Sequence, residues 1–166
     1  MHILIKNKYL TYGNYKVKCA VGKRGIKRKK KEGDLSTPKG TFQVKKVYYR
    51  HDKVKNLKTC FKKIVIRKNM GWCDDPRSNR YNKLIKYPFK YKSEKLFRAD
   101  NTYDIILVLN FNMNPIKKDK GSAIFIHVAK KYYKKTLGCI AISKISLLKI
   151  IKKLNKKSIV EISNQR

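Results

Sequence analysis

Apolar positions along this chain recur with a period of two or in short unbroken runs. Both patterns predict β-strands over most of its length. His2–Ile5 and Tyr9–Tyr12 are short strand-like runs. Tyr15–Val21 alternates polar and apolar residues until its end, as a strand with one buried face does. Gly13-Asn14 between two of these runs predicts a turn. Thr41–Tyr49 and Lys62–Arg67 read as further strands. Ile105–Leu109 and Ala123–Val128 are nearly all apolar, the mark of central strands covered on both faces. Cys139–Ile142 and Ser158–Ile162 complete the set. The period changes once: Ile145, Leu148, Ile151 and Leu154 recur in steps of three, and Leu147 widens the stripe. This predicts one helix over Lys144–Asn155, capped by Ser143, with one face docked on a sheet. The chain therefore reads as mainly β with a single helix in its C-terminal half. No repeat or linker divides it, so a single domain over residues 1–166 is expected.

The segments between strands are unusually rich in chemistry. Lys23 to Asp34 is basic and contains Arg28-Lys-Lys-Lys31; it reads as a solvated loop, with an anion-binding patch as the alternative. Thr37-Pro38 favours extended backbone, and Gly40 allows a positive φ or a close backbone approach. Asn69 to Asn82 reads as a long loop dense in polar and aromatic residues, and such loops are often functional. Its Trp72 and Tyr81 either pack against a substrate or roof the core. Its Asp74-Asp75-Pro76 run either caps a turn or recognises an amine. Arg77, Arg80 and Arg98 stand out where lysine is the default, and an arginine fork suits a carboxylate. For Arg98 an ion pair with Asp74 or Asp100 is the competing reading.

Two residues carry the sharpest chemistry. Of three histidines, only His127 lies inside an apolar run; of four cysteines, only Cys139 follows a glycine and precedes an Ile-Ala-Ile strand. They are 12 residues apart, each beside a predicted strand. An imidazole next to a thiol is the minimum equipment for thiol acyl transfer: a base takes the proton, the sulfur attacks a carbonyl, and backbone N–H groups hold the oxyanion. His127 either accepts the thiol proton or holds an imidazolium–thiolate pair. The competing reading is a small buried cysteine and a hydrogen-bonded core histidine.

Three blocks of residues resemble the L,D-transpeptidases of the YkuD family, which remodel peptidoglycan. Ser36-Thr-Pro-Lys-Gly-Thr-Phe42 is similar to the family's T-P-x-G-x-F loop before a strand. Gly71-Trp-Cys-Asp-Asp-Pro-Arg-Ser-Asn-Arg-Tyr-Asn82, followed by Ser93-Glu-Lys-Leu-Phe-Arg98, resembles a G-W-C-D-D-P…Y-N…S-E-x-L-W-R pattern of a compact proteobacterial branch. Gly121-Ser-Ala-Ile-Phe-Ile-His127 through Thr136-Leu-Gly-Cys-Ile-Ala-Ile142 resembles the catalytic signature H…[ST]-H-G-C-[IV]-R. The blocks stand in family order. The resemblance implies a YkuD-like catalytic domain with a sandwich- or barrel-like sheet core. It implies Cys139 as nucleophile, His127 as base, and the N–H groups of Gly138 and Cys139 in the oxyanion hole. It further implies peptidoglycan stem peptides as donor and acceptor, D-alanine as the residue released, neither metal nor organic cofactor, and work in the periplasm or cell envelope. Thr136, Trp72, Arg77, Tyr81 and Arg98 are the candidate substrate-binding residues. Leu137 stands where the signature has a second histidine and Ala141 where it has an arginine. Arg98 is the candidate replacement for that arginine. Hydrolysis on the same scaffold, with water replacing the acceptor, is an alternative outcome.

Charge changes the picture in one respect. Forty-four basic and 10 acidic residues give a net charge of +34. Such a field draws anionic partners, so a basic cell-wall or nucleic-acid binding module is the rival from another class. Lysine outnumbers arginine 36 to 8, however, and isoleucine, asparagine and tyrosine are plentiful, which matches AT-rich coding. A base-reading protein leans on arginine, so no specific nucleic-acid partner is expected. Cys19, Cys60, Cys73 and Cys139 form no C-x-x-C, so zinc-site spacing is absent and no metal is expected. No run reaches the roughly 18 apolar residues of a transmembrane helix. Met1–Leu10 has only Ile3-Leu4-Ile5 before charge resumes and does not read as a signal peptide. A cytoplasmic location therefore stays open beside the envelope.

Overall fold

The computed structural model describes residues 1–164. Its strands are β1 (His2–Lys6), β2 (Tyr9–Tyr12), β3 (Tyr15–Lys18), β4 (Ile26–Lys27), β5 (Thr37–Pro38), β6 (Gly40–Phe42), β7 (Val44–Tyr49), β8 (Lys63–Val65), β9 (Met70–Cys73), β10 (Leu84–Lys86), β11 (Ser93–Lys95), β12 (Ile105–Leu109), β13 (Phe125–Val128), β14 (Ile140–Ile142) and β15 (Ile159–Ile162). One helix, α1 (Lys144–Lys153), precedes the last strand. The fold is mainly β, as the period-two pattern predicts.

Two five-stranded sheets share the main core. The first runs β3-β2-β1-β15-β6, the second β14-β13-β12-β7-β8. Ile3, Ile5 and Val160 from the first meet Val47, Leu107 and Ile126 from the second, with Leu147, Ile150 and Ile151 of α1. The second sheet is covered on its other face too. There Ile106, Val108 and Phe125 pack with Met70, Trp72 and Leu96 from a third sheet region, β10-β9-β11. This double cover explains the unbroken apolar run of β12: Ile105, Leu107 and Leu109 serve one core, Ile106 and Val108 the other. No helix among the described residues is long and apolar enough to cross a membrane.

Several predicted boundaries move, two because one stretch of chain serves two sheets and two because a predicted loop supplies a short strand. The run Thr41–Tyr49 divides at Gln43: β6 pairs with β15 and β7 with β12. The run Tyr15–Val21 leaves the first sheet after Lys18, and Ala20 forms a bridge to Ala141 beside β14. The predicted loop Asn69–Asn82 opens with strand β9, which pairs with both β10 and β11. The predicted solvated loop Lys23–Asp34 contains β4, paired with β5, and its Lys29 side chain is 3% exposed. Ser143 caps α1, its hydroxyl accepting from Ser146 N–H. The buried stripe is Leu147, Ile150, Ile151 and Leu154, whereas Ile145, expected to dock, is exposed.

Candidate active site

Strand pairing brings His127 and Cys139 to one face. Strands β13 and β14 are parallel, and His127 lies opposite Ala141. Cys139 precedes Ala141 by two residues, so it shares that face, one diagonal step from His127. The face is the one covered by Phe125 and Trp72, and Cys139 packs against that cluster. Both residues line a cavity of about 760 Å³.

His127 is held in one tautomer. Its Nδ1 lies 2.9 Å from the Val128 carbonyl, which can only accept, so Nδ1 carries the proton and Nε2 is left as the acceptor. Tyr103 meets the ring edge-on at 5.3 Å. Burial pushes the imidazole pKa down to about 4, against the Val128 hydrogen bond, which raises it. Burial also pushes the Cys139 thiol up to about 12, and the nearby Glu94 carboxylate adds to the rise. The resting pair is therefore neutral. The imidazolium–thiolate form does not match these surroundings, because little solvent stabilises either charge. The thiol donates to the Ala123 carbonyl at 3.1 Å; it forms no hydrogen bond to His127 in this state.

The loop before β14 is pinned from three sides. Thr136 Oγ1 donates to the Cys139 carbonyl at 2.6 Å and accepts from Gly138 N–H at 3.1 Å. The Gly138 N–H, expected in the oxyanion hole, is thus engaged, because the Thr136 side chain folds over the turn. Thr37 Oγ1 donates to the Gly138 carbonyl at 2.8 Å. Gly138 has φ +153°, and a Cβ there would meet the Ser36 carbonyl oxygen at 3.0 Å, so a glycine is needed. Lys29 lies beneath this loop, donating to Asp34 at 2.6 Å. The solvated-loop reading hid this lysine, since only the tertiary fold turns it inward.

The candidate substrate-binding residues divide. Thr136 and Arg98 line the cavity with Gly138, whereas Trp72, Tyr81 and Arg77 do not. Trp72 is buried and packs edge-on against Phe125 at 5.3 Å, which makes it the roof of the core. Its indole N–H donates to Asn82 Oδ1, which also receives the Ala123 N–H. Tyr81 is buried; its hydroxyl donates to Glu32 at 2.6 Å and accepts from Gly121 N–H at 2.9 Å. Tyr81 and Asn82 thus hold the Gly121–Ala123 turn whose last carbonyl receives the Cys139 thiol. Arg77 points to solvent and pairs through two hydrogen bonds with Asp75, so it is drawn away by its own neighbour. Arg98 forms the same two-pronged pair with Asp100, at 3.0 and 2.9 Å. Its fork is therefore occupied in the resting state. Ala141 is buried and Leu137 is 67% exposed, both along the cavity. Glu94, Asp74, Thr102 and Ser122 also line it. Of these, Asp74, Glu94 and Ser122 lie in the blocks that carry the family resemblance, but the sequence singled out only the Asp74 run for a role; Thr102 carried no signal. Among the described residues no group of three His, Cys, Asp or Glu side chains is placed to hold a metal.

The chain belongs to the YkuD family of L,D-transpeptidase catalytic domains, whose profile matches residues 2–162. The structure is similar to that of Pgp2, a helical cell shape determining protein from Campylobacter jejuni, with a TM-score of 0.54 at 16% identity. The match covers 99% of this chain and 48% of that one, so this chain spans just under half the length of that protein. A K307A mutant of the same protein aligns with a TM-score of 0.47 at 18% identity, over 99% of this chain and 47% of that chain. No curated protein sequence matches this chain.

Proposed function

We propose that the chain is a catalytic domain that cross-links peptidoglycan stem peptides through a Cys139 thioester. The observation that carries this reading is the placement of His127 and Cys139 on one face of adjacent parallel strands, lining one cavity, with Nε2 free to accept. In the proposed cycle a donor stem enters the cavity and displaces the Ala123 contact of the thiol. His127 takes the thiol proton as the sulfur attacks the carbonyl carbon. The Cys139 backbone N–H supports the oxyanion, and Gly138 N–H joins it once Thr136 releases it. The proton on His127 passes to the departing D-residue, and an amine on a second stem then attacks the thioester. No metal or organic cofactor enters the cycle. The reading places the enzyme at the cell envelope, where its substrate lies.

The test is incubation of the purified protein with a disaccharide-tetrapeptide, read by mass spectrometry beside Cys139→Ala. A dimer formed with loss of one D-alanine, absent in the variant, is expected. Loss of D-alanine without a dimer would make the enzyme a carboxypeptidase. Equal products from Cys139→Ala would refute the mechanism.

A further inference from the structure

In a chain with 44 basic and 10 acidic residues, three of the acids, Glu32, Asp74 and Glu94, line the candidate cavity. Four buried side-chain polar atoms lack a partner among the described residues, and three of them belong to the cavity lining: Asp74 Oδ1, Thr102 Oγ1 and Ser122 Oγ. Thr102 is 7% exposed and Ser122 is 5% exposed. Buried polar groups are almost always hydrogen-bonded, so unpartnered ones gathered at one cavity point to a polar ligand. The fourth, Asp104 Oδ1, already faces Lys53 at 3.6 Å.

Glu94 shares the cavity with Cys139 and is tied to the site through Tyr103, whose ring packs edge-on against His127. It sits on β11 opposite Trp72 and accepts from the Tyr103 hydroxyl at 2.5 Å. Burial raises its pKa; Tyr103 and Arg98 oppose the rise, and Asp74 and Glu32 add to it. In its carboxylate form, Glu94 in the cavity it shares with Cys139 disfavours the thiolate, which hinders the first half of a thiol acyl transfer. The same anion favours a cation that arrives in the second half.

We propose that Glu94, backed by Asp74 and Glu32, forms a subsite for the primary ammonium group of the acceptor and takes its proton, steering the acyl-enzyme to aminolysis over hydrolysis. The inference rests on the transpeptidase reading above. The acceptor arrives as R–NH₃⁺ and gives one proton to the Glu94 carboxylate. The freed nitrogen attacks the thioester carbon, the C–N bond forms and the C–S bond breaks. The second proton leaves the nitrogen through His127 to the departing sulfur. Glu94 then releases its proton to solvent, and the Cys139 thiol is restored. Ser122 Oγ and Thr102 Oγ1 are free to accept the remaining ammonium or peptide N–H groups.

The experiment compares wild type, Glu94→Gln and Asp74→Asn in two readouts. The first is iodoacetamide alkylation of Cys139, followed by peptide mass mapping so that the exposed Cys60 is counted separately. It is run with and without millimolar N-acetyl-lysinamide, a primary ammonium probe. The probe should slow Cys139 alkylation in wild type, less in Asp74→Asn and not in Glu94→Gln. Without the probe, Glu94→Gln should alkylate faster than wild type, at an unchanged melting temperature that shows its fold is intact. The second readout is the ratio of dimer to hydrolysed product from disaccharide-tetrapeptide. It should fall on the order of tenfold or more in Glu94→Gln. Equal probe protection in wild type and Glu94→Gln, or an unchanged product ratio, overturns the proposal. Glu94-dependent protection in an enzyme that forms no product keeps the ammonium subsite and rejects the transpeptidase reading.

Discussion

The hydroxyl of Thr37 donates to the carbonyl of Gly138 at 2.8 Å, across 101 positions of sequence. The same oxygen accepts from Gly22 N–H at 2.8 Å. The Thr-Pro loop, the segment leaving the first sheet and the cysteine loop therefore meet at one buried atom.

Thr37→Val keeps the shape and removes both bonds. It leaves a buried carbonyl and a buried N–H without partners, at about 1–3 kcal/mol each. The urea midpoint should fall without a change in slope. Thr37→Ser, which keeps the hydroxyl, should recover most of the loss. A Val variant as stable as wild type would mean that the two bonds contribute nothing.

Gly138→Ala tests the backbone of the cysteine loop. The alanine methyl must enter a positive-φ position 3.0 Å from the Ser36 carbonyl oxygen. Strain of this kind costs on the order of 1–3 kcal/mol. The melting temperature should drop by several degrees, and acylation of Cys139 by a carbapenem-type reagent should slow more than the loss of folded protein explains. Wild-type acylation would show that the loop tolerates the shift.

His127 should couple stability to pH. Its pKa is about 4 in the fold against 6.5 when free. Between these values the unfolded chain binds the extra proton, so stability rises with pH. The contribution is fully present above pH 6.5 and is lost as pH falls toward 4. The shift corresponds to about 3 kcal/mol. His127→Gln removes this term, so the stability gap between variant and wild type, followed by denaturant titration from pH 7 to 4, should change by about that amount. At neutral pH the variant should lose on the order of 10²-fold in rate. A two- or threefold loss would leave His127 a structural role only.

Much of the site is readable along the chain. The apolar run around His127 and the glycine before Cys139 mark the two candidate reacting residues, and Thr136 and Arg98 reach the same cavity. The aromatic and basic candidates divide because reach depends on neighbours. Arg77 has the fork to hold a carboxylate, but Asp75, two residues away, already fills it. Trp72 and Tyr81 have surfaces suited to a ligand, yet they brace Asn82, Glu32 and the Gly121 turn from beneath. Lys29 lies in a basic run and Glu94 in a family-like block, but nothing local marks either as facing the cavity. Each is an ordinary charged residue until the fold turns it inward.

Local periodicity by itself determined the long apolar strands and the one helix, because these follow from side-chain spacing over a few residues. The sequence also marked a histidine in an apolar run and a Gly-Cys turn, but the β13–β14 pairing brought them together. Only the tertiary structure decided that one run of chain would serve two sheets, that Thr37 would hold Gly138, and that three of the ten acids would face a cavity in a chain of net charge +34. Those outcomes depend on which segments meet across long separations, where burial sets the protonation of His127 and Cys139 and leaves Ser122 and Thr102 without partners.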